Sequence, residues 1–253
     1  MNDKIRFSIL IPVIALVIHF GQQFLPRPGS YFELITTRII LPILIAFAAT
    51  WFLHRRWSAL PSAWGLNSGI LTGLMTAFLF CIPMLLGYGL LAGFKIGISW
   101  QSFWIGCVGA AISEELVYRG FLFGQLFRYG GWGFLTAGLF NAVLFGSGHL
   151  HQSGDLSGAM GVFLITALGG LWFAWLYIEW DHNIWLPIFM HFFMNVSWDF
   201  FDVGENAAGG LMANIFRAVT IVVSIIYTIL MKRKSTGLII KQENLFVNRN
   251  YCN

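Results

Sequence analysis

Charged residues are scarce in this chain. They make up 10% of its 253 residues, whereas 57% are hydrophobic, and ordinary soluble domains carry about 25% charged residues. Between residues 57 and 154 the only charged side chains are Lys95, Glu114, Glu115, Arg119 and Arg128. The apolar stretches therefore exceed the roughly 20 residues that cross a bilayer. This composition excludes a soluble domain and predicts a polytopic membrane protein.

Cysteine is also rare, and its three copies lack the spacing of a cross-link or of a metal site. Cys81 and Cys107 lie in apolar stretches, and Cys252 lies in the C-terminal tail. This arrangement argues against a disulfide framework and against a thiolate zinc site. The chain also lacks His-Glu-x-x-His, the typical motif of zinc hydrolases.

Polar or Gly/Pro-rich breaks divide the apolar sequence into eight predicted helical spans, which indicates an all-α bundle with a polar cavity in the membrane. The spans lie at about 7–25, 33–53, 68–94, 100–127, 132–150, 160–179, 183–201 and 211–231. We expect one intramembrane domain over residues 1–231, followed by a short polar tail over residues 232–253.

The basic residues predict the orientation of these spans. With an even number of spans, one face holds Lys4, Arg6, Arg55, Arg56, Arg128 and the run 232–234, while the other holds Arg27 and Lys95. Cytoplasmic loops carry an excess of Lys and Arg. We therefore expect a multi-pass protein of the cell membrane, surrounded by lipid, with both ends in the cytoplasm. The net charge of +4 is then a topology signal and does not indicate nucleic-acid binding.

Three short segments place ionisable or amide side chains within the predicted spans. They are residues 113–119, with Glu114, Glu115 and Arg119; residues 145–149, which end in His149; and residues 191–195, with His191 and Asn195. Ionisable groups at bilayer depth are costly and usually mark a functional site. Alternating span directions bring Glu114, His149 and His191 toward the same membrane face, so we expect them to converge.

Helical spacing separates the two glutamates by role. Glu115 and Arg119 are four residues apart in the order that favours an ion pair. Glu114 points about 100° away on the same helix and is left to face a neighbouring helix or a water-filled cavity. His191 and Asn195 share one face of their helix, one turn apart. A carboxylate, imidazoles and an amide in a low-dielectric pocket supply a general base and oxyanion donors.

The motifs Glu-Glu-x-x-x-Arg, Phe-x-x-x-His and His-x-x-x-Asn are complete and in this order over residues 114–195. In this respect the chain resembles the CPBP family, the CAAX-protease and bacteriocin-processing intramembrane proteases, which include type II CAAX prenyl endopeptidases. The resemblance implies an intramembrane endopeptidase with six functional side chains. The catalytic ones are Glu114, His149, His191 and Asn195, and the supporting ones are Glu115 and Arg119.

By the same resemblance, Glu114 and His149 activate the hydrolytic water, while His191 and Asn195 stabilise the oxyanion. The implied substrate is a membrane-anchored or transmembrane protein or peptide, such as a CAAX-like tail, a leader or a sorting segment. This glutamate mechanism requires no metal or other cofactor. Glu114, His149 and His191 are nevertheless side chains that could bind zinc. The sequence does not indicate an oligomeric state.

Three other functions are compatible with these residues. Ser147, between Gly146 and Gly148, would act with His191 as base in a rhomboid-like serine protease. A proton-coupled transporter could use the glutamates and histidines as a relay, and the bundle could also be a non-catalytic scaffold. We expect the remaining histidines to lie at interfaces or in loops; they are His19, His54, His151 and His182.

Overall fold

The computed structural model describes residues 3–249, and eight helices of 15 or more residues run through this part of the chain. They are α1 Asp3–Phe24, α2 Tyr31–His54, α3 Ile70–Leu91, α4 at 102–128, α5 Phe134–Gly148, α6 Leu156–Glu179, α7 Trp185–Phe200 and α8 Leu211–Lys234. Over the same residues the extended pairing is limited to an isolated antiparallel bridge between Trp132 and Val247. The predicted all-α bundle is confirmed, and Cys252 lies outside the described residues.

The eight helices differ in how well their length and composition suit a membrane crossing. Within residues 3–249, five helices are long and apolar enough to cross a bilayer, namely α1, α2, α3, α6 and α8. Helix α4 is long but carries four charged side chains, whereas α5 and α7 have 15 and 16 residues, fewer than the roughly 20 that span a bilayer. The eight spans therefore stay a prediction.

The apolar side chains divide between a packed interior and the outer surface of the bundle. Helix α4 lies at the centre, and its residues Phe121, Leu122 and Phe123 are completely buried. On the outside, Leu79 of α3 and Leu168 of α6 are more than half exposed. Exposed apolar faces of this kind are unfavourable in water and favourable in lipid, which agrees with an integral membrane protein.

Helix α4 is irregular where it carries the predicted site. Two π-helical segments, Ser102–Gly109 and Glu115–Phe123, flank the α-helical turn Ala110–Glu114. Such wide turns are rare and occur frequently at functional sites. Because they change the rotation per residue, they decide which way the two adjacent glutamates point.

The two ends of the bundle differ in charge. At one end, Trp132 donates to Ser8 Oγ at 2.6 Å, and Asn248 N–H donates to Gly131 at 3.0 Å, so the start of α1, the α4–α5 connection and the tail meet. We call it the basic end, since it carries Lys4, Arg6, Arg55, Arg56, Arg128, Lys232, Arg233, Lys234, Lys241 and Arg249. The opposite end carries Arg27 and Lys95 in its connections. Arg38 of α2 and Arg217 of α8 also donate to backbone carbonyls at that end.

The tail packs against the basic end. Both carboxylate oxygens of buried Glu179 accept backbone N–H groups, from Ile239 and Ile240, at 2.9 Å each. Further along, the carbonyls of residues 245 and 246 accept the N–H groups of residues 135 and 133 at 2.7 and 3.0 Å. The tail thus supplies acceptors for donors at the start of α5, which a helix cannot satisfy by itself. The division into residues 1–231 and 232–253 stays a prediction.

Helices α5 and α6 touch closely at Gly146. A Cβ atom added there would lie 3.0 Å from both Ala167 Cβ and the Phe163 carbonyl oxygen. Small residues let helices approach in this way in membrane proteins. The glycine therefore holds the end of α5, where His149 follows, tightly against α6.

Candidate active site

Glu114, His149 and His191 come from three different helices and face one another. Glu114 Oε2 lies 3.9 Å from His149 Nε2 and 3.9 Å from His191 Nε2. The side chains remain partly accessible, at 28% for Glu114, 19% for His149 and 12% for His191. The structure therefore brings three of the four predicted catalytic side chains together around one carboxylate oxygen.

His149 follows the last residue of α5 and is oriented by the helix itself. Its Nδ1 lies 2.7 Å from the carbonyl oxygen of Phe145. A carbonyl can only accept a hydrogen bond, so this nitrogen carries the proton. In the neutral ring Nε2 is then an acceptor. His149 therefore turns the lone pair of Nε2 toward Glu114.

His191 is oriented by the second glutamate. Its Nδ1 lies 2.7 Å from Glu115 Oε1. An ionised carboxylate can only accept a hydrogen bond, so Nδ1 carries the proton, as it does in His149. His191 Nε2 is consequently an acceptor when the ring is neutral and a donor only when the ring is an imidazolium. This contact between Glu115 and His191 was not predicted from the sequence.

Glu114 Oε2 is buried and has no hydrogen-bond partner among residues 3–249. It faces the lone pair of His149, and two acceptors cannot bond to each other. A water molecule that donates one hydrogen to each, at about 2.8 Å, spans a gap of this width. The separation of these two acceptors is the one that a water bridging a carboxylate base and an imidazole requires.

Glu115 and Arg119 form a fully buried ion pair, as their spacing predicts. Arg119 Nη1 donates to Glu115 Oε1 at 3.0 Å, and both side chains are 0% exposed. The guanidinium also lies 4.3 Å from the ring centre of Phe145 and 5.4 Å from that of Phe173. Contacts with the faces of aromatic rings are favourable for a desolvated cation.

Asn195 lies one helical turn beyond His191. Among the described residues, no hydrogen bond joins it to Glu114. Its Nδ2 donates to the backbone carbonyl of Gly106 in α4 at 2.9 Å. The amide has two N–H groups, so one is still available. The structure therefore leaves the predicted role of Asn195 as a prediction and adds a link between α7 and α4.

His19 is not in a loop, and it contacts polar side chains of two other helices that the sequence did not indicate. It lies within α1, where Nδ1 is 3.1 Å from the Tyr118 hydroxyl and Nε2 is 3.0 Å from Ser147 Oγ. Sequence reasoning missed it because its partners lie 99 and 128 residues away. Ser147 thus contacts His19, whereas the serine-protease alternative required His191.

The other three histidines lie near helix ends and connections. His54 ends α2 and contacts Gln125, and exposed His151 follows α5 in a short turn. In the α6–α7 connection, burial, together with the smaller effect of the nearby cations Arg128 and Lys232, lowers the pKa of His182 to about 3. His182 is therefore neutral at ordinary pH and lies outside the candidate site.

The described residues do not offer a ready metal site. No group of three His, Cys, Asp or Glu side chains within 3–249 is placed to hold a metal ion. Tetrahedral zinc, with bonds of about 2.0–2.2 Å, places two of its ligand atoms about 3.4 Å apart. The 3.9 Å separations around Glu114 Oε2 are wider than that.

Residues 95–197 match one protein-family model, described as type II CAAX prenyl endopeptidase Rce1-like. The matched stretch runs from just before α4 into α7 and contains all six side chains of the predicted site. It agrees with the resemblance carried by the three motifs. No curated protein and no solved structure matches the chain.

We expect Arg119→Met to reduce stability before it affects chemistry. The change leaves the Glu115 carboxylate buried without its counter-ion, which typically costs about 3–5 kcal/mol. The loss should appear as a lower yield and a lower melting temperature in detergent. Arg233→Met, at an exposed position near the end of α8, is the control and should change stability by less than about 0.5 kcal/mol. Wild-type stability combined with complete inactivity of Arg119→Met would instead show that the arginine takes part in the reaction.

Proposed function

Since residues 95–197 belong to the Rce1-like protease family, we propose that this protein is an intramembrane endopeptidase that hydrolyses a peptide bond with a glutamate-activated water. The observation that carries the proposal is the placement of Glu114. Its unpartnered oxygen lies 3.9 Å from two imidazole nitrogens on neighbouring helices. This is the arrangement that a general base for water requires.

Glu114 and His149 act on the water. The water donates one hydrogen to each, its oxygen attacks the scissile carbonyl carbon, and Glu114 takes up the proton. When the tetrahedral intermediate collapses, the carbon–nitrogen bond breaks and Glu114 returns that proton to the leaving amine. His149 keeps the water oriented, because its ring is fixed by the Phe145 carbonyl.

His191 stabilises the oxyanion as an imidazolium. Its Nδ1–H is committed to Glu115, so only a second proton, on Nε2, can be donated to the substrate oxygen. The Glu115 carboxylate favours that charged form. The available N–H of Asn195 supplies the second donor, as expected for an oxyanion site. Each of the four catalytic side chains then has a separate task.

The substrate is a protein or peptide whose scissile bond reaches the bilayer. A CAAX-like tail, a leader and a sorting segment all meet this condition, and lipid surrounds the site in each case. The basic end lies in the cytoplasm by the positive-inside rule. Because α5 starts at the basic end and His149 follows its last residue, the site lies toward the extracytoplasmic face. Exported or membrane-anchored substrates suit that orientation.

The serine alternative lacks support in the geometry. Ser147 Oγ donates to the Leu144 carbonyl at 2.9 Å and contacts His19, not His191. A serine mechanism also leaves Glu114, His149 and the buried pair without a role. A transporter would use the same carboxylate as a proton carrier, and substrate-dependent proton flux without peptide hydrolysis would favour it.

Glu114→Gln should abolish hydrolysis without unfolding the protein. The amide keeps the shape of the side chain but cannot accept the proton of water, so turnover should fall by at least about 10²- to 10⁴-fold. The measurement is cleavage of membrane-embedded peptides by purified protein, with Glu205→Gln in the exposed α7–α8 connection as the control. Near-normal turnover by Glu114→Gln would overturn the assignment of the base.

Hydrolysis should not depend on a bound metal. After exhaustive chelation, elemental analysis should find no zinc in enzyme that still cleaves at the original rate. If instead one equivalent of zinc is present and its removal stops turnover, Glu114, His149 and His191 are metal ligands and the water is activated by the ion.

The orientation can be tested with single cysteines in a background that lacks the three native ones. A membrane-impermeant thiol reagent added to intact cells should label Glu205→Cys, in the α7–α8 connection, and spare Ser235→Cys, which follows α8. Both positions are exposed in the structure. The opposite labelling pattern would place the site toward the cytoplasm and favour a cytosolic, CAAX-like tail as substrate.

A further inference from the structure

His19 of α1 bridges the two helices that carry Glu114 and His149. Its Nδ1 lies 3.1 Å from the hydroxyl of Tyr118 on α4, and its Nε2 lies 3.0 Å from Ser147 Oγ on α5. Ser147 is two residues from His149, and Tyr118 is four residues from Glu114. A histidine outside the three motifs therefore touches both sides of the candidate site.

The hydrogen bonds determine where the protons of this network lie. Ser147 gives its single hydroxyl proton to the Leu144 carbonyl at 2.9 Å, so the ring must be the donor in its contact with Ser147. His19 then carries its proton on Nε2, and Nδ1 of the neutral ring is an acceptor. It follows that Tyr118 donates its hydroxyl proton to His19.

The direction of the Tyr118 hydroxyl matters because of its position on α4. Residues four apart lie on the same side of a helix, so Tyr118 is on the side of Glu114. Glu114 Oε2 has no hydrogen-bond partner among the described residues, and a phenol is a good donor to a carboxylate. Such a bond would stabilise the charged carboxylate, weaken it as a base and occupy the place of the water.

We propose that His19 is a positioning residue that holds the Tyr118 hydroxyl away from Glu114, so that this carboxylate can accept a hydrogen bond from the hydrolytic water. The inference rests on the proposed function, since it concerns the base of that reaction. It assigns to α1, which lies outside the matched residues 95–197, an influence on catalysis that acts through Tyr118.

A double-mutant experiment tests this role. His19→Phe keeps a ring but releases Tyr118, so kcat should fall about tenfold, as expected for one misplaced hydrogen bond, with little change in KM. Tyr118→Phe should retain at least about half of the activity, because it removes the competing donor itself. For the same reason the double variant His19→Phe/Tyr118→Phe should recover to within about threefold of Tyr118→Phe. A double variant as impaired as His19→Phe would show a merely structural role and overturn the inference.

A second measurement does not depend on activity or on the stability of His19→Phe. In ¹⁵N-histidine-labelled wild-type protein, the His19 resonances, identified by their change in Tyr118→Phe, should show a protonated Nε2 and an unprotonated Nδ1. A protonated Nδ1 would overturn the inference even in a fully active enzyme. Failure of the proposed function is seen separately, as continued hydrolysis by Glu114→Gln.

Discussion

The buried contact between Glu115 and Arg119 is the interaction on which the site depends. Neither charge could stay inside the bundle alone, because an unpaired buried charge is strongly destabilising. One oxygen of Glu115 accepts hydrogen bonds from both Arg119 and His191, so the ion pair also orients the imidazole ring of His191 on α7. Arg119 in turn lies over the ring of Phe145, whose carbonyl fixes the imidazole of α5. Both rings thus owe their orientation to groups around one ion pair.

Much of this arrangement follows from the sequence, because its physical causes are local. Long apolar stretches predict the helices, and the spacing of Glu115 and Arg119 predicts their ion pair and leaves Glu114 to face another helix. The contact of His191 with Glu115 could not be predicted in the same way. It depends on the rotation of α4, which two π-helical segments change relative to a regular helix. The hydrogen bond between Asn195 on α7 and Gly106 on α4 also could not be predicted, because it depends on how the two helices pack.

His19 shows a second limit of sequence reasoning. A single histidine in an apolar helix gives no indication of its partners, and the hydroxyls that it contacts have ordinary structural interpretations by themselves. Serine in particular often bonds to the carbonyl one turn earlier in its own helix, as Ser147 does. Only the three side chains together define the direction of each hydrogen bond. Polar networks of this kind must therefore be found in the folded structure.

The packing of the tail on α5 connects the helix that precedes His149 to the order in which the chain is synthesised. The N–H groups of Gly133 and Leu135 find their acceptors in residues 245 and 246, more than a hundred residues later and beyond all other long helices. Until the ribosome has added those two residues, the helix that precedes His149 lacks part of its hydrogen bonding. A nascent chain can thus contain all three sequence motifs and still not hold His149 at the end of a finished helix.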